Sequence, residues 1–282
     1  MKIRTLNHQD VLSILPDRAP DSHKGDYGKI LLLCGSRGYT GAAALAAMGA
    51  LRSGAGLVYL AVPESIYAIE AVKLTEAIVM PLPDQDGKLS ERSVDEVRSL
   101  MEQKDVVLIG PGLGKSAGTF AVVKAVLKEF PGPVVLDADG INLIAAHKDL
   151  LRGRTGPTIL TPHAGEFARI ADVCTGDRLV DAVTFASEYK VILLLKGYRT
   201  IITDGNVAYI NYTGNPGMAV GGSGDVLAGM IAGLLGQGLN PIEAASCGAW
   251  LHGTAGDICA QQLGMYGMLP SDMVSVLPRL LK

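Results

Sequence analysis

Cysteine, tryptophan and excess charge are all scarce in this chain. The four cysteines, Cys34, Cys174, Cys247 and Cys259, show no C-x-x-C spacing. That excludes a disulfide framework and predicts reduced, buried thiols in a cytoplasmic protein. Lys+Arg 25 against Asp+Glu 28 leaves a net charge of −3. Nucleic acids and membrane surfaces recruit proteins through a basic field, so neither is an expected partner. Any anionic ligand must be held by local donors instead. A long apolar run is missing too. The longest apolar uncharged run, residues 226–242, is broken by Gly229, Gly233, Gly236, Gln237, Gly238 and Asn240, short of the ~20 mostly apolar residues that cross a bilayer. The opening residues 1–18 are polar and lack an apolar signal core. His8, His23, His147 and His252 have no metal-ligand spacing.

What is present is a sizeable core and much glycine. Hydrophobic residues make up 48% of 282 residues and glycines number 35; the glycines cluster where backbone is expected to approach a ligand closely. Continuous apolar runs at 29–34, 57–62, 106–109, 134–136, 158–160 and 191–195 read as buried strands. Stretches 41–52, 117–130, 141–147, 166–171 and 177–189 read as helices between them. Strands of this kind separated by helices predict a mostly parallel sheet with helices on both faces. A small antiparallel extension is expected at 199–203 and 207–211, joined by Asp204-Gly205-Asn206. Helices are expected at 225–235, 241–262 and 270–280, and a polar loop at 81–87. No internal repeat or linker divides the chain, so residues 1–282 read as a single α/β domain.

Candidate segments fall at predicted strand ends, where open α/β sheets bind ligands. Gly110-Pro111-Gly112-Leu113-Gly114-Lys115-Ser116 fits neither a P-loop nor a G-x-G-x-x-G fingerprint and reads as a glycine-rich βα turn. Gly217 to Leu227 carries Gly221, Gly222, Ser223 and Gly224 before a helix, so that main-chain amides and the helix dipole can form an anion hole for a phosphate. Asp225 stands at its mouth, either as the base that takes a proton from an attacking hydroxyl or as a helix-start residue. Lys196-Gly197-Tyr198-Arg199-Thr200 reads as a phosphate and base contact or as a plain strand-to-strand turn. His163 and Glu166 serve a ligand or a helix start. Asp137, Asp139 and Asn142 are candidates for Mg²⁺ or phosphate contacts, Asp139 equally for a cap. Tyr39-Thr40-Gly41-Ala42-Ala43-Ala44 is open enough for a flat ring, or simply packs tightly.

Taken together, the blocks 35–43, 52–58, 110–114, 136–139, 161–166 and 215–227 resemble the ADP/ATP-dependent NAD(P)H-hydrate dehydratase family of the ribokinase-like superfamily. The resemblance implies a ribokinase-like fold and a reaction in which ADP or ATP, with Mg²⁺, phosphorylates the hydroxyl of hydrated NADH or NADPH; phosphate then leaves and the reduced cofactor returns. It implies Asp225 as the catalytic base, Lys196, Gly197, Tyr198, Arg199, Thr200 and Gly224 at the nucleotide, and Ala43, Gly112, His163 and Asp225 at the hydrated dinucleotide. It further implies a homotetramer. Many relatives are fused to an epimerase domain; the residues here leave no length for one, so an epimerase is expected as a separate chain. A ribokinase-like kinase of a small alcohol or vitamin precursor, and a non-catalytic nucleotide sensor, are the competing readings.

Overall fold

The computed structural model describes residues 2–172 and 174–281. Its strands are β1 (Lys2–Arg4), β2 (Lys29–Leu33), β3 (Leu57–Pro63), β4 (Ile78–Leu82), β5 (Asp84–Gln85), β6 (Lys88–Leu89), β7 (Val106–Ile109), β8 (Val134–Leu136), β9 (Thr158–Leu160), β10 (Ile192–Leu195), β11 (Thr200–Thr203) and β12 (Val207–Asn211). Its helices are α1 (His8–Ile14), α2 (Thr40–Arg52), α3 (Glu64–Lys73), α4 (Ser93–Met101), α5 (Ala117–Glu129), α6 (Asp139–Ile144), α7 (Asp149–Arg152), α8 (Ala164–Ile170), α9 (Arg178–Tyr189), α10 (Ser223–Gly236), α11 (Pro241–Leu263) and α12 (Pro270–Val276).

Ten strands form one sheet in the order β1-β12-β11-β10-β9-β8-β7-β2-β3-β4. The pairs from β10 through β9, β8, β7, β2 and β3 to β4 are parallel, while β11 pairs antiparallel with both β10 and β12. Alternate residues of each strand feed opposite faces, as the two-residue period of a strand requires. Ile30, Leu32, Leu108 and Leu194 pack under α2, α10 and α11. Leu31, Leu33, Ile109 and Leu193 pack under α5, α8 and α9. Both faces are therefore apolar, which explains the unbroken hydrophobic runs.

The pair α2–α10 sets the position of everything that follows. A Cβ on Gly49 would lie 2.4 Å from the Val226 carbonyl oxygen, and one on Gly229 would lie 2.0 Å from that of Ala46. Main chain meets main chain along this seam. Ala46 and Gly49, further along α2, therefore serve helix packing, whereas Gly41 at its start faces open space.

Three expectations are corrected. The stretch 81–87 is not a loop: Pro81 and Leu82 complete β4, and 84–89 form the small hairpin β5–β6. Proline is tolerated there because β4 is a sheet edge. Residues 270–280 do not form one helix: Pro278, lacking an N–H and crowding the preceding turn, ends α12 at Val276, and a short 3₁₀ turn follows. Cys174 is exposed in the loop between α8 and α9, whereas Cys34, Cys247 and Cys259 are buried. Among the described residues, no helix is long and apolar enough to cross a membrane.

Candidate active site

The C-terminal ends of β2, β7, β8, β9 and β10 converge on the N-terminus of α10. At the end of β8, Asp137 is 1% exposed. Its Oδ1 accepts hydrogen bonds from Thr161 Oγ1 at 2.7 Å and from Lys196 Nζ at 2.9 Å. Lys196 begins the β10–β11 turn, and its main chain pairs with the backbone at the start of α8 through an isolated bridge to His163. Its ammonium also lies 3.9 Å from Glu166 Oε2. Burial opposes the charge on Lys196, but the Asp137 and Glu166 carboxylates outweigh it, so its pKa is raised.

The helix start itself carries no side-chain cap. Gly222 is the N-cap, in a left-handed conformation with φ 98°. A Cβ there would lie 2.4 Å from Leu45 Cδ1, so α2 also shapes this turn. Gly221 faces open space, and a Cβ on Gly224 would stand 3.2 Å from Lys196 Nζ. Among the described residues, the amides of Gly224 and Asp225 have no hydrogen-bond partner. Those free donors at the positive end of a 14-residue helix make a candidate anion site. Neither Ser223 nor Asp225 caps the helix, so the helix-start reading of Asp225 lacks its expected bond. The Asp225 carboxyl is pushed up to about 6, first by burial and then by the Asp137 charge, with Lys196 pulling the other way and Glu166 adding to the rise.

His163 caps α8: its Nδ1 accepts from the amides of Gly165 and Glu166 at 3.0 and 3.2 Å, while Glu166 Oε2 accepts from the His163 amide. An accepting Nδ1 leaves the proton on Nε2, 3.6 Å from Glu166 Oε1. The capping reading is thus realised, and it also presents the half-exposed ring as a donor. Gly112, at φ 61°, packs on Tyr39 and Ala42, where a Cβ would come within 2.8 Å of Ala42 Cβ. Its carbonyl accepts from Ser36 Oγ. Ala43 is fully buried against Gly35 and presents no accessible surface to a ligand.

The turn from Gly197 to Thr200 lies at the surface. Thr200 Oγ1 bonds the Gly197 main chain, Arg199 sits at φ 57°, and Arg199 stacks over the Tyr198 and Tyr212 rings. Arg178, which belongs to no motif, clamps this turn from α9 by donating to the carbonyls of Tyr198, Leu195 and Lys196. His252, dismissed for lack of metal spacing, is buried behind the anion site. Its Nε2 lies 3.4 Å from Ser223 Oγ, and burial pushes its pKa down to about 4, so it is neutral.

The candidate cation ligands are otherwise engaged. Asp139 Oδ2 accepts from the Gly114 amide at 2.9 Å, and Asn142 Oδ1 accepts from Arg169 at 2.8 Å. Among the described residues, no group of three or more His, Cys, Asp or Glu side chains could hold a metal. The described residues therefore build no cage for a cation. A magnesium ion carried on nucleotide phosphates asks for only one or two protein carboxylates.

A doubly covered, mostly parallel sheet with a glycine-lined anion site and a carboxylate at its strand ends defines a ribokinase-like α/β protein. A ribokinase-like superfamily protein from Enterococcus faecalis V583 superposes with a TM-score of 0.86 at 30% identity, over 98% of this chain and 94% of that one. The family model for NAD(P)H-hydrate dehydratase matches residues 30–279, and the chain belongs to that family. It is 48% identical over 277 residues to a bifunctional NAD(P)H-hydrate repair enzyme of Moorella thermoacetica, covering 96% of this chain and 52% of that protein. The chain thus spans about half the length of the curated relatives it matches. The ADP/ATP-dependent NAD(P)H-hydrate dehydratase of Bacillus subtilis, co-crystallised with ATP and Mg²⁺, superposes with a TM-score of 0.85 at 32% identity, over 99% of this chain and 98% of that one.

Proposed function

We propose that the chain returns hydrated NADH and NADPH to NADH and NADPH at the expense of ADP or ATP. The observation that carries this reading is the Asp225 carboxylate at the mouth of an anion site with unpartnered amides at Gly224 and Asp225 and the Lys196 ammonium alongside. Asp225 accepts the proton of the ring hydroxyl as its oxygen attacks the terminal phosphorus of the nucleotide. The bond from that phosphorus to the bridging oxygen breaks, and the shortened nucleotide leaves with the electron pair. The free amides and Lys196 stabilise the charge on the migrating group. Hydroxide leaves carbon poorly, but phosphate leaves well. The ring nitrogen lone pair expels it, the neighbouring carbon loses a proton, and the double bond returns.

In this reading the segment Lys196, Gly197, Tyr198, Arg199 and Thr200, with Gly224, holds the nucleotide. Gly112 and His163 hold the hydrated dinucleotide, and the buried Ala43 supports the loop at Gly35. Mg²⁺ enters with the nucleotide and neutralises phosphate charge. A separate epimerase, which keeps the reactive epimer supplied, is the companion activity, and a homotetramer is the assembly the reading carries.

The test supplies hydrated NADH with Mg²⁺ and either ADP or ATP and follows the return of NADH absorbance. Recovery with one equivalent of phosphate released is the expected result. No recovery with either nucleotide overturns the reading. A stable phosphorylated alcohol as product would instead favour the kinase reading.

A further inference from the structure

The hairpin β5–β6, which reads in the sequence as an uneventful loop, closes over the outer edge of the dinucleotide side of the site. Gly87, at φ 77°, packs on Arg37, and its carbonyl accepts from the Arg37 amide at 2.8 Å. The next residue, Lys88, lays its carbon stem over Gly114 and points its ammonium to the Lys115 carbonyl at 3.5 Å. Arg37 lies on the loop that leads from β2 into α2, and Lys115 lies three residues beyond Gly112. Cationic residues from three different loops thus line one rim: the Arg37 side chain lies against Gly87, the Lys88 side chain lies over Gly114, and the exposed Lys115 follows directly on that turn. Among the described residues, no carboxylate lies within ion-pair distance of Arg37, Lys88 or Lys115. In a chain of net charge −3, an unneutralised basic cluster is a local exception. Beside it, Tyr39 is 62% exposed and its Cβ meets Gly112.

We propose that Arg37, Lys88 and Lys115 form the subsite for a phosphate of the hydrated dinucleotide, away from the transferring phosphoryl group. The inference rests on the function proposed above. A dinucleotide brings two phosphate sources to this rim, its pyrophosphate and, in the NADPH form, the 2′-phosphate. Guanidinium and ammonium groups bind both by charge-assisted hydrogen bonds. The overall charge of the chain does not attract such a ligand, so the rim supplies the local field.

The experiment compares wild type with the combined Arg37→Gln, Lys88→Gln and Lys115→Gln variant. KM is measured for hydrated NADH and for hydrated NADPH, and NADPH binding is followed separately by its fluorescence. Charged hydrogen bonds at an exposed rim predict a KM at least roughly tenfold higher for hydrated NADPH, with the loss in kcat/KM carried by KM, and a flatter salt dependence of NADPH binding. An equal rise for both substrates assigns the rim to the pyrophosphate. A rise for hydrated NADPH alone assigns it to the 2′-phosphate. Unchanged KM values and unchanged NADPH binding in a folded variant overturn the proposal. If wild type binds NADPH through this rim yet returns no NADH absorbance from the hydrate, the function falls while the subsite stands.

Discussion

Lys196 is bound to Asp137 at 2.9 Å, and the same ammonium stands where it would touch a side chain on Gly224 at 3.2 Å. One cation thus links the floor of the site to the glycine loop proposed to grip phosphate. Asp137 is almost completely buried, so removing its partner leaves a charge with no compensation from a cation. Lys196→Met is expected to cost about 3–5 kcal/mol of stability. The double variant Asp137→Asn with Lys196→Met should recover much of that loss. Chemical denaturation of the four members of the cycle measures the coupling, and strict additivity would show that the pair is energetically idle.

Asp225→Asn removes the proposed base and keeps the shape. Turnover should fall by about 10²–10⁴-fold, while nucleotide binding persists. The same substitution should raise stability at neutral pH. The folded pKa of Asp225, about 6, lies above its ordinary value of 3.8. Folded wild type therefore holds its proton more tightly than the unfolded chain and loses stability as pH rises through that window. The Asn variant should melt higher than wild type at pH 7.5, and the gap should close below about pH 4. Equal melting temperatures at pH 7.5 would contradict a buried carboxyl under strain from its neighbours.

The neighbour chiefly responsible among charged groups is Asp137. Asp137→Asn deletes a like charge and frees Lys196 to approach Asp225. The acidic limb of the pH–rate profile should move to lower pH, even as the rate falls through misplacement of Lys196. A limb that stays in place would mean that burial alone sets the Asp225 pKa.

The central strands were legible because strands buried on both faces, such as Leu31 to Leu33, write continuous hydrophobic runs, whereas the helices α1, α3 and α4 were not expected. The strand β1 was not, since Lys2–Arg4 is solvent-exposed and carries no apolar pattern. Nor was β4, whose Pro81 masks an edge strand. At the site, Asp225 and the glycines before it were visible because anion chemistry demands them in sequence. The link between Asp137, Thr161 and Lys196 was not, because it joins the ends of three strands 24 to 59 residues apart. His252 stayed hidden for a related reason: its partner Ser223 lies 29 residues away on another helix. Arg178 gave no local signal either, because the carbonyls it clamps belong to a turn that forms only when β10 and β11 pair.

The α2–α10 seam offers a test of how packing reaches the chemistry. A methyl on Gly229 would sit 2.0 Å from the Ala46 carbonyl oxygen, and backbone cannot swing aside as a flexible side chain can. Gly229→Ala must therefore push α10 away from α2. Overpacking of this kind costs about 1–3 kcal/mol or more. The helix that moves also carries the Gly224 and Asp225 amides and the Asp225 carboxyl, so the rate should fall by more than the loss of folded protein explains. Gly153→Ala is the control: its φ is −81° and its nearest neighbour, Asp149 O, would be 3.9 Å away, so the methyl meets no clash and stability should hold or rise slightly. Melting curves and turnover for the two variants decide the matter. A Gly229→Ala protein that melts and turns over like Gly153→Ala would mean that the seam does not hold the anion site in position.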